Sequence, residues 1–97
     1  MYISRIVFQV KSDQKEVFEA TAQVAAKAAL DMSGCQTFMM LASPYESGQY
    51  VLYEEWETAE QADSFKQSKV RNESVAKLVP AMAAAPQAVE FEAMRKS

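Results

Sequence analysis

Apolar and polar positions along the chain change period several times, and each change marks an element. Residues 2–10, "YISRIVFQV", are rich in β-branched and aromatic types. Even positions carry Ile6, Phe8 and Val10, while odd positions carry Ile3 and Val7 beside Arg5 and Gln9. Apolar groups on both faces predict a strand at least half covered on each side. "SDQKE" follows, and Asp13 with Glu16 three residues later has the form of a capping box. Val17, Phe18, Val24, Ala25, Ala28 and Met32 then fall at helical spacing. That spacing predicts a helix over about residues 14–31, stopped at Gly34.

"CQTFMMLA" predicts a second strand, with Phe38 and Met40 on one face and Cys35, Met39 and Leu41 on the other. "SPYESGQ" supplies the Pro, Ser and Gly of a hairpin loop. A third strand runs to Trp56, and Thr58 with Gln61 caps the helix after it. Helical periodicity then loses phase near residues 68–72, Pro80 interrupts it and Pro86 ends it. "QAVEFEAM" is the last strand, with Val89 and Phe91 opposite Glu90 and Glu92. The order β-α-β-β-α-β predicts an α+β, ferredoxin-like, four-stranded antiparallel sheet with its helices on one face. The second face would carry Ile3, Val7, Cys35, Met39, Leu41, Val51 and Tyr53. Such an apolar surface predicts a homodimer in which two sheets pack face to face.

The 97 residues fit one domain spanning residues 1–97. Sixteen alanines sit within a hydrophobic fraction of 49 %, so each apolar residue buries little area and association would add to the core. A net charge of −3 without any basic run argues against nucleic acid and anionic membranes. No segment approaches the roughly twenty apolar residues of a membrane span. "MYISRIVFQV" lacks a signal-peptide pattern, and one cysteine, Cys35, cannot pair internally, so a cytoplasmic location is expected. The chain has no histidine, which removes the usual neutral-pH base and the commonest metal ligand.

Candidate chemistry concentrates at "YEEWETAEQ". Glu54 and Glu55 are adjacent on a strand, point to opposite faces, and cannot act as a carboxylate pair. Glu54 shares parity with Trp56: it is either a buried base with its pKa raised by desolvation or a paired strand-end carboxylate. Trp56 either meets an aromatic ligand, donating through its indole N–H, or seals the core. Lys69, Arg71 and Asn72 at the helix break are either anion-binding groups or a solvated loop. Arg5 is expected to pair with Glu90, Glu92 or Glu55, Cys35 to be an inert buried thiol, and Tyr50 to be the tyrosine on the Trp56 side.

The pieces "VFQVKSDQKEVFEA", "GCQTFMML", "YVLYEEWETAEQADSF" and "VAKLVPAMAAAPQAVEF" resemble the antibiotic biosynthesis monooxygenase domain, of the dimeric α-β barrel superfamily. The resemblance implies a cavity between helices and sheet, lined by Ile6, Phe8, Gln36, Phe38, Met40, Tyr50, Leu52, Glu54 and Trp56, with Phe18 and Phe65 above. It further implies catalytic Trp56 and Glu54, with Phe8, Gln36, Phe38, Met40, Tyr50, Phe65, Arg71 and Asn72 against the substrate. The activity implied is a cofactor-independent monooxygenation of a small aromatic, quinol or polyketide-like molecule, whose enolate itself reduces dioxygen. No metal, flavin or haem is then required. Haem-degrading members carry an Asn and a His where this chain has Ile6 and a residue near Lys69. Isomerases and quinol-type members carry His where it has Phe65 or Lys66, and Val70. Polyketide oxygenases carry an Asn at the position of Leu52. A non-catalytic ligand-binding or structural dimer and a small-metabolite isomerase are the alternatives.

Overall fold

The structure, a computed structural model, describes residues 1–94. Its elements are β1 (Tyr2–Gln9), α1 (Lys15–Leu30), β2 (Cys35–Ala42), β3 (Gln49–Trp56), α2 (Ala59–Lys66), α3 (Lys69–Leu78), a single 3-10 turn (Val79–Ala81) and β4 (Gln87–Glu92). The four strands form one antiparallel sheet in the order β2-β3-β1-β4. The fold is the ferredoxin-like α+β arrangement that the strand and helix order predicts.

The helix ends follow their local chemistry. At α2 the Thr58 hydroxyl accepts the Gln61 backbone N–H at 3.2 Å. Ser68 does the same for Arg71 at 3.2 Å, which restarts the helix as α3 after the predicted loss of phase. The expected box at Asp13 does not form. A turn closed by Gln14 N–H to the Lys11 carbonyl takes up Asp13, and Gln14 becomes the N-cap without a side-chain bond. Gly34, at φ +90°, lets the chain reverse from α1 into β2 with the Gln61 side chain packed against it.

Register fixes which residues meet. Tyr2, Ser4, Ile6 and Phe8 of β1 stand opposite Trp56, Glu54, Leu52 and Tyr50 of β3, all on the helix side. Phe38 and Met40 continue these rows onto β2, and Glu90 and Ala88 onto β4. Phe18, Ala22, Ala25 and Ala29 line the buried stripe of α1. The core divides in two. One cluster joins Tyr2, Ala29, Phe38, Trp56, Ala62 and Phe65. The other joins Phe8, Val10, Phe18, Tyr50, Leu78 and Ala81. Leu52 touches both, and with Ile6 and Met40 it forms a half-buried row between them.

A β-bulge between Cys35 and Thr37 corrects the predicted alternation of β2. The extra residue places Cys35 opposite Trp56, against the first core cluster rather than on the open face. It also turns Gln36 out to solvent, where its amide bonds Glu57 at 3.1 Å. The rest of the open face is as predicted. Met39, Leu41, Val89 and Phe91 are each 43–50 % exposed on it. Arg5 lies on that face, whereas Glu90 and Glu92 lie on the other, so the expected Arg5 pairing with either is replaced. Glu90 instead meets Lys66, and Glu92 meets the N-terminal amine at 3.9 Å. No helix among the described residues is long and apolar enough to cross a membrane.

Candidate active site

Among the described residues, Glu54 is the one carboxylate that the fold carries into the core. The alternation at the end of β3 places it beside Trp56 on the helix side, only 7 % exposed. The Trp56 indole N–H donates to its Oε1 at 3.0 Å. Burial pushes the Glu54 carboxyl above its ordinary value, opposed by the indole bond and by the charges of Lys66 and Arg71, while Glu90 adds to the rise. The net effect is a carboxylate that binds a proton more readily than an ordinary glutamate does, as a base requires.

Trp56 is wholly enclosed at 0 % exposure. It stacks on Phe65 with centroids 5.7 Å apart, and Phe65 meets Phe38 edge-on at 5.4 Å. Its ring therefore presents no exposed face, and its polar atom is committed to Glu54. Phe8 packs on Phe18 at 5.3 Å in the second cluster, with Tyr50 against Phe18 at 4.8 Å. The Tyr50 hydroxyl donates to Glu19 at 2.5 Å.

Of the residues the sequence assigns to ligand contact, Phe38, Met40, Phe65, Tyr50 and Phe8 lie on the helix side of the sheet or just above it. Gln36 does not, for the reason of the bulge. Arg71 is half-buried and acts on Glu54 through its charge, whereas Asn72 is exposed. Lys69 points away, pairing with Glu73 one turn on at 3.8 Å. Tyr50 is not alone on the Trp56 side. Tyr2 stands directly opposite Trp56 and is buried. Its hydroxyl donates to Glu90 and accepts from Lys66 Nζ at 3.1 Å, and Lys66 also bonds Glu90 at 2.9 Å. Sequence reading missed this cluster, although the even parity of Tyr2 and Glu90 was its available signal.

The Glu19 carboxylate makes Tyr50 a poor acid: that hydrogen bond first, then burial, pushes its pKa up to about 12. In an ultraviolet phenolate titration, Tyr50→Phe should remove the last-ionising component. Glu19→Gln should bring it down toward the ordinary 10.0. An unchanged last component in both variants would contradict the assignment.

A separate surface groove lies between α1 and α3, with Thr21 and Ser74 at its floor and Val24, Val70, Glu73 and Lys77 around it. It includes neither Glu54 nor Trp56. Among the described residues no three His, Cys, Asp or Glu side chains gather as a metal site would need.

The family model for antibiotic biosynthesis monooxygenases matches residues 1–96. The chain belongs to the antibiotic biosynthesis monooxygenase family. Solved structures agree on the fold. A Nitrosomonas europaea protein designated a candidate antibiotic biosynthesis monooxygenase superposes with a TM-score of 0.92 at 22 % identity, covering 98 % of this chain and 100 % of its own. Counterparts similarly designated from Deinococcus radiodurans and Caulobacter crescentus CB15 give TM-scores of 0.92 and 0.89 at 13 % and 21 % identity. They cover 100 % and 97 % of this chain, and 96 % and 90 % of their own. At these identities the likeness is one of fold. Among curated proteins none matches the sequence. Within this family member, the Glu54–Trp56 pair at the end of β3 is the buried polar contact nearest the Tyr2, Lys66 and Glu90 cluster.

Proposed function

We propose that this family member is a cofactor-independent monooxygenase for a small aromatic, quinol or polyketide-like substrate, with Glu54 as its base. The observation that carries the reading is the buried Glu54 carboxylate, held by the Trp56 indole at 3.0 Å beside the half-buried row Ile6, Leu52 and Met40. That row, between two packed clusters, is the place for an apolar ring, with Met40 able to adapt to its shape. Arg71 at the start of α3 supplies positive charge toward Glu54, and Asn72 next to it is exposed.

In the reaction, Glu54 removes a proton from a substrate methylene activated by a neighbouring carbonyl. The carbanion transfers its electrons to dioxygen, and a carbon–oxygen bond forms as a hydroperoxide. Loss of water from that intermediate leaves a new carbonyl, so one methylene and one dioxygen become one carbonyl and one water. The protein's share is to orient, exclude water and move protons. Because Trp56 contacts Glu54 and no open space, its role is to position the carboxylate.

Oxygen uptake by chelator-treated, flavin- and haem-free protein tests this with anthrone-type and quinol substrates. Glu54→Gln should lower the rate by about 10²–10⁴-fold. Uptake unchanged in that variant would remove Glu54 from the reaction. The complete enclosure of Trp56 favours a second reading, a non-catalytic ligand-holding dimer, and no uptake with any substrate would remove the oxygenase reading in its favour.

The functional unit is a cytoplasmic homodimer joined through the open sheet face, a reading supported by the exposed Met39, Leu41, Val89 and Phe91 around Val7 and Val51. An interface of standard size would bury at least about 1,000 Å² there. Val51→Lys places an ammonium at its centre. Sedimentation should then show a monomer where the unmodified chain is dimeric, and equal masses for the two would refute this interface.

A further inference from the structure

Glu54 leaves one neighbouring cation without a task. Lys66 ends α2, and its ammonium donates to Glu90 at 2.9 Å and to the Tyr2 hydroxyl at 3.1 Å, with Asp63 farther off at 3.9 Å. The Tyr2 hydroxyl in turn donates to Glu90, closing a three-membered ring of polar contacts. An isolated exposed lysine–glutamate pair contributes little stability and fixes little. Here the buried Tyr2 hydroxyl, on a ring whose centroid lies 5.3 Å from the same ammonium, gives Lys66 a defined place.

The sheet register says where that place is. Ser4 stands between Glu54 and Glu90 in one row across β3, β1 and β4. Neighbouring strands are about 4.8 Å apart, so the two carboxylates flank β1. Ser4 is buried between them, and Lys66 reaches this row through its bond to Glu90. Both Lys66 and Arg71 act on Glu54 through their charge. An ammonium has three N–H donors, and Glu90 and Tyr2 take two of them.

We infer that the third N–H of Lys66 receives the substrate oxygen on which negative charge collects when Glu54 takes its proton. Resting as it does on Glu54 being the base, this narrows the substrate to an enolisable aryl ketone. Its oxygen lies on Lys66 and its reacting carbon toward Glu54. The carbon–hydrogen bond breaks, the proton passes to a Glu54 oxygen, and the electron pair becomes an enolate with its charge on the oxygen at Lys66. Net charge in the site is unchanged. A negative charge leaves Glu54 and appears on the substrate, and the cations already facing the first position face the second, with Glu90 and Tyr2 holding Lys66 still.

Para-nitrophenol, whose phenolate is coloured, reports such a site without turnover. Bound to the unmodified protein it should ionise about one to three pKa units below its free value. Lys66→Met should restore the free value, and Lys66→Gln should do the same if the methionine variant folds poorly. Lys77→Met makes the same charge change at the outer groove and should keep the full shift. No binding to the unmodified protein, a shift that survives both Lys66 variants, or a shift lost equally in Lys77→Met overturns the inference. Oxygen uptake together with a Lys66-independent shift would also sink it, while leaving Glu54 as the base. A Lys66-dependent shift without oxygen uptake from any substrate would uphold the oxyanion site and end the oxygenase reading.

Discussion

Trp56→Ala is expected to destabilise the fold by about 3–5 kcal/mol, the usual cost of truncating a fully buried aromatic. Trp56 has no exposure, stacks on Phe65, and lies in a cluster with Tyr2, Phe38, Ala29 and Ala62. Met32, Cys35 and Leu52 border the space, but the alanines of α1 and α2 are already against the sheet, so collapse would fill it only in part. Domains of this size hold only about 5–15 kcal/mol in total. Thermal melts should therefore fall by roughly 12 °C or more. Trp56→Phe separates packing from hydrogen bonding. It keeps an aromatic in the cluster, so it should cost less than alanine, but it removes the indole donor. Since that donor holds the Glu54 carboxyl down, its loss should move Glu54 further above the ordinary glutamate value. Equal melting temperatures for the alanine variant and the unmodified chain would refute the packing.

Glu54→Gln is expected to trade stability against chemistry. The folded-state pKa of Glu54 lies above its ordinary 4.5, because burial outweighs the indole bond and the nearby cations. A group raised in this way contributes its full stabilisation below the ordinary value and loses it as pH rises through the folded pKa. At neutral pH, where the unfolded chain ionises Glu54 freely, burial of that group therefore works against folding. Glutamine has the same reach and keeps an acceptor for the Trp56 N–H. The variant should be the more stable protein at neutral pH, and its advantage should shrink as the solution is acidified toward 4.5. Its oxygen uptake should be almost abolished over the same range. Denaturant midpoints across pH check the first half, and an advantage that grows on acidification would reverse the sign of the account.

The fold was legible because two periods carry it. Alternation in "YISRIVFQV" and "YVLYEEW" assigned Phe8, Tyr50, Glu54 and Trp56 to one face, and the structure agrees. Thr58 signalled its helix by a cap that forms, whereas Asp13 offered the same pattern and was taken up by a turn. The two patterns are alike in sequence, and only the path of the preceding chain separates them. Parity failed at Cys35 and Gln36, because a bulge adds one residue inside an apolar run and leaves no compositional trace. The Tyr2–Lys66–Glu90 cluster was the least legible part. It joins residues 64 and 88 positions apart, and it depends on β1 pairing with β4 and on where α2 ends. Trp56 was legible as a candidate, but its full enclosure was not, since that depends on Phe65 arriving from another element.

The most direct measurement is an isotope-edited carboxyl NMR titration, with the Glu54 resonance assigned by its loss in Glu54→Gln. A midpoint above those of the exposed glutamates, moving higher still in Trp56→Phe, is what a buried base held by an indole N–H predicts. A midpoint at or below the ordinary glutamate value, unmoved by Trp56→Phe, would contradict it.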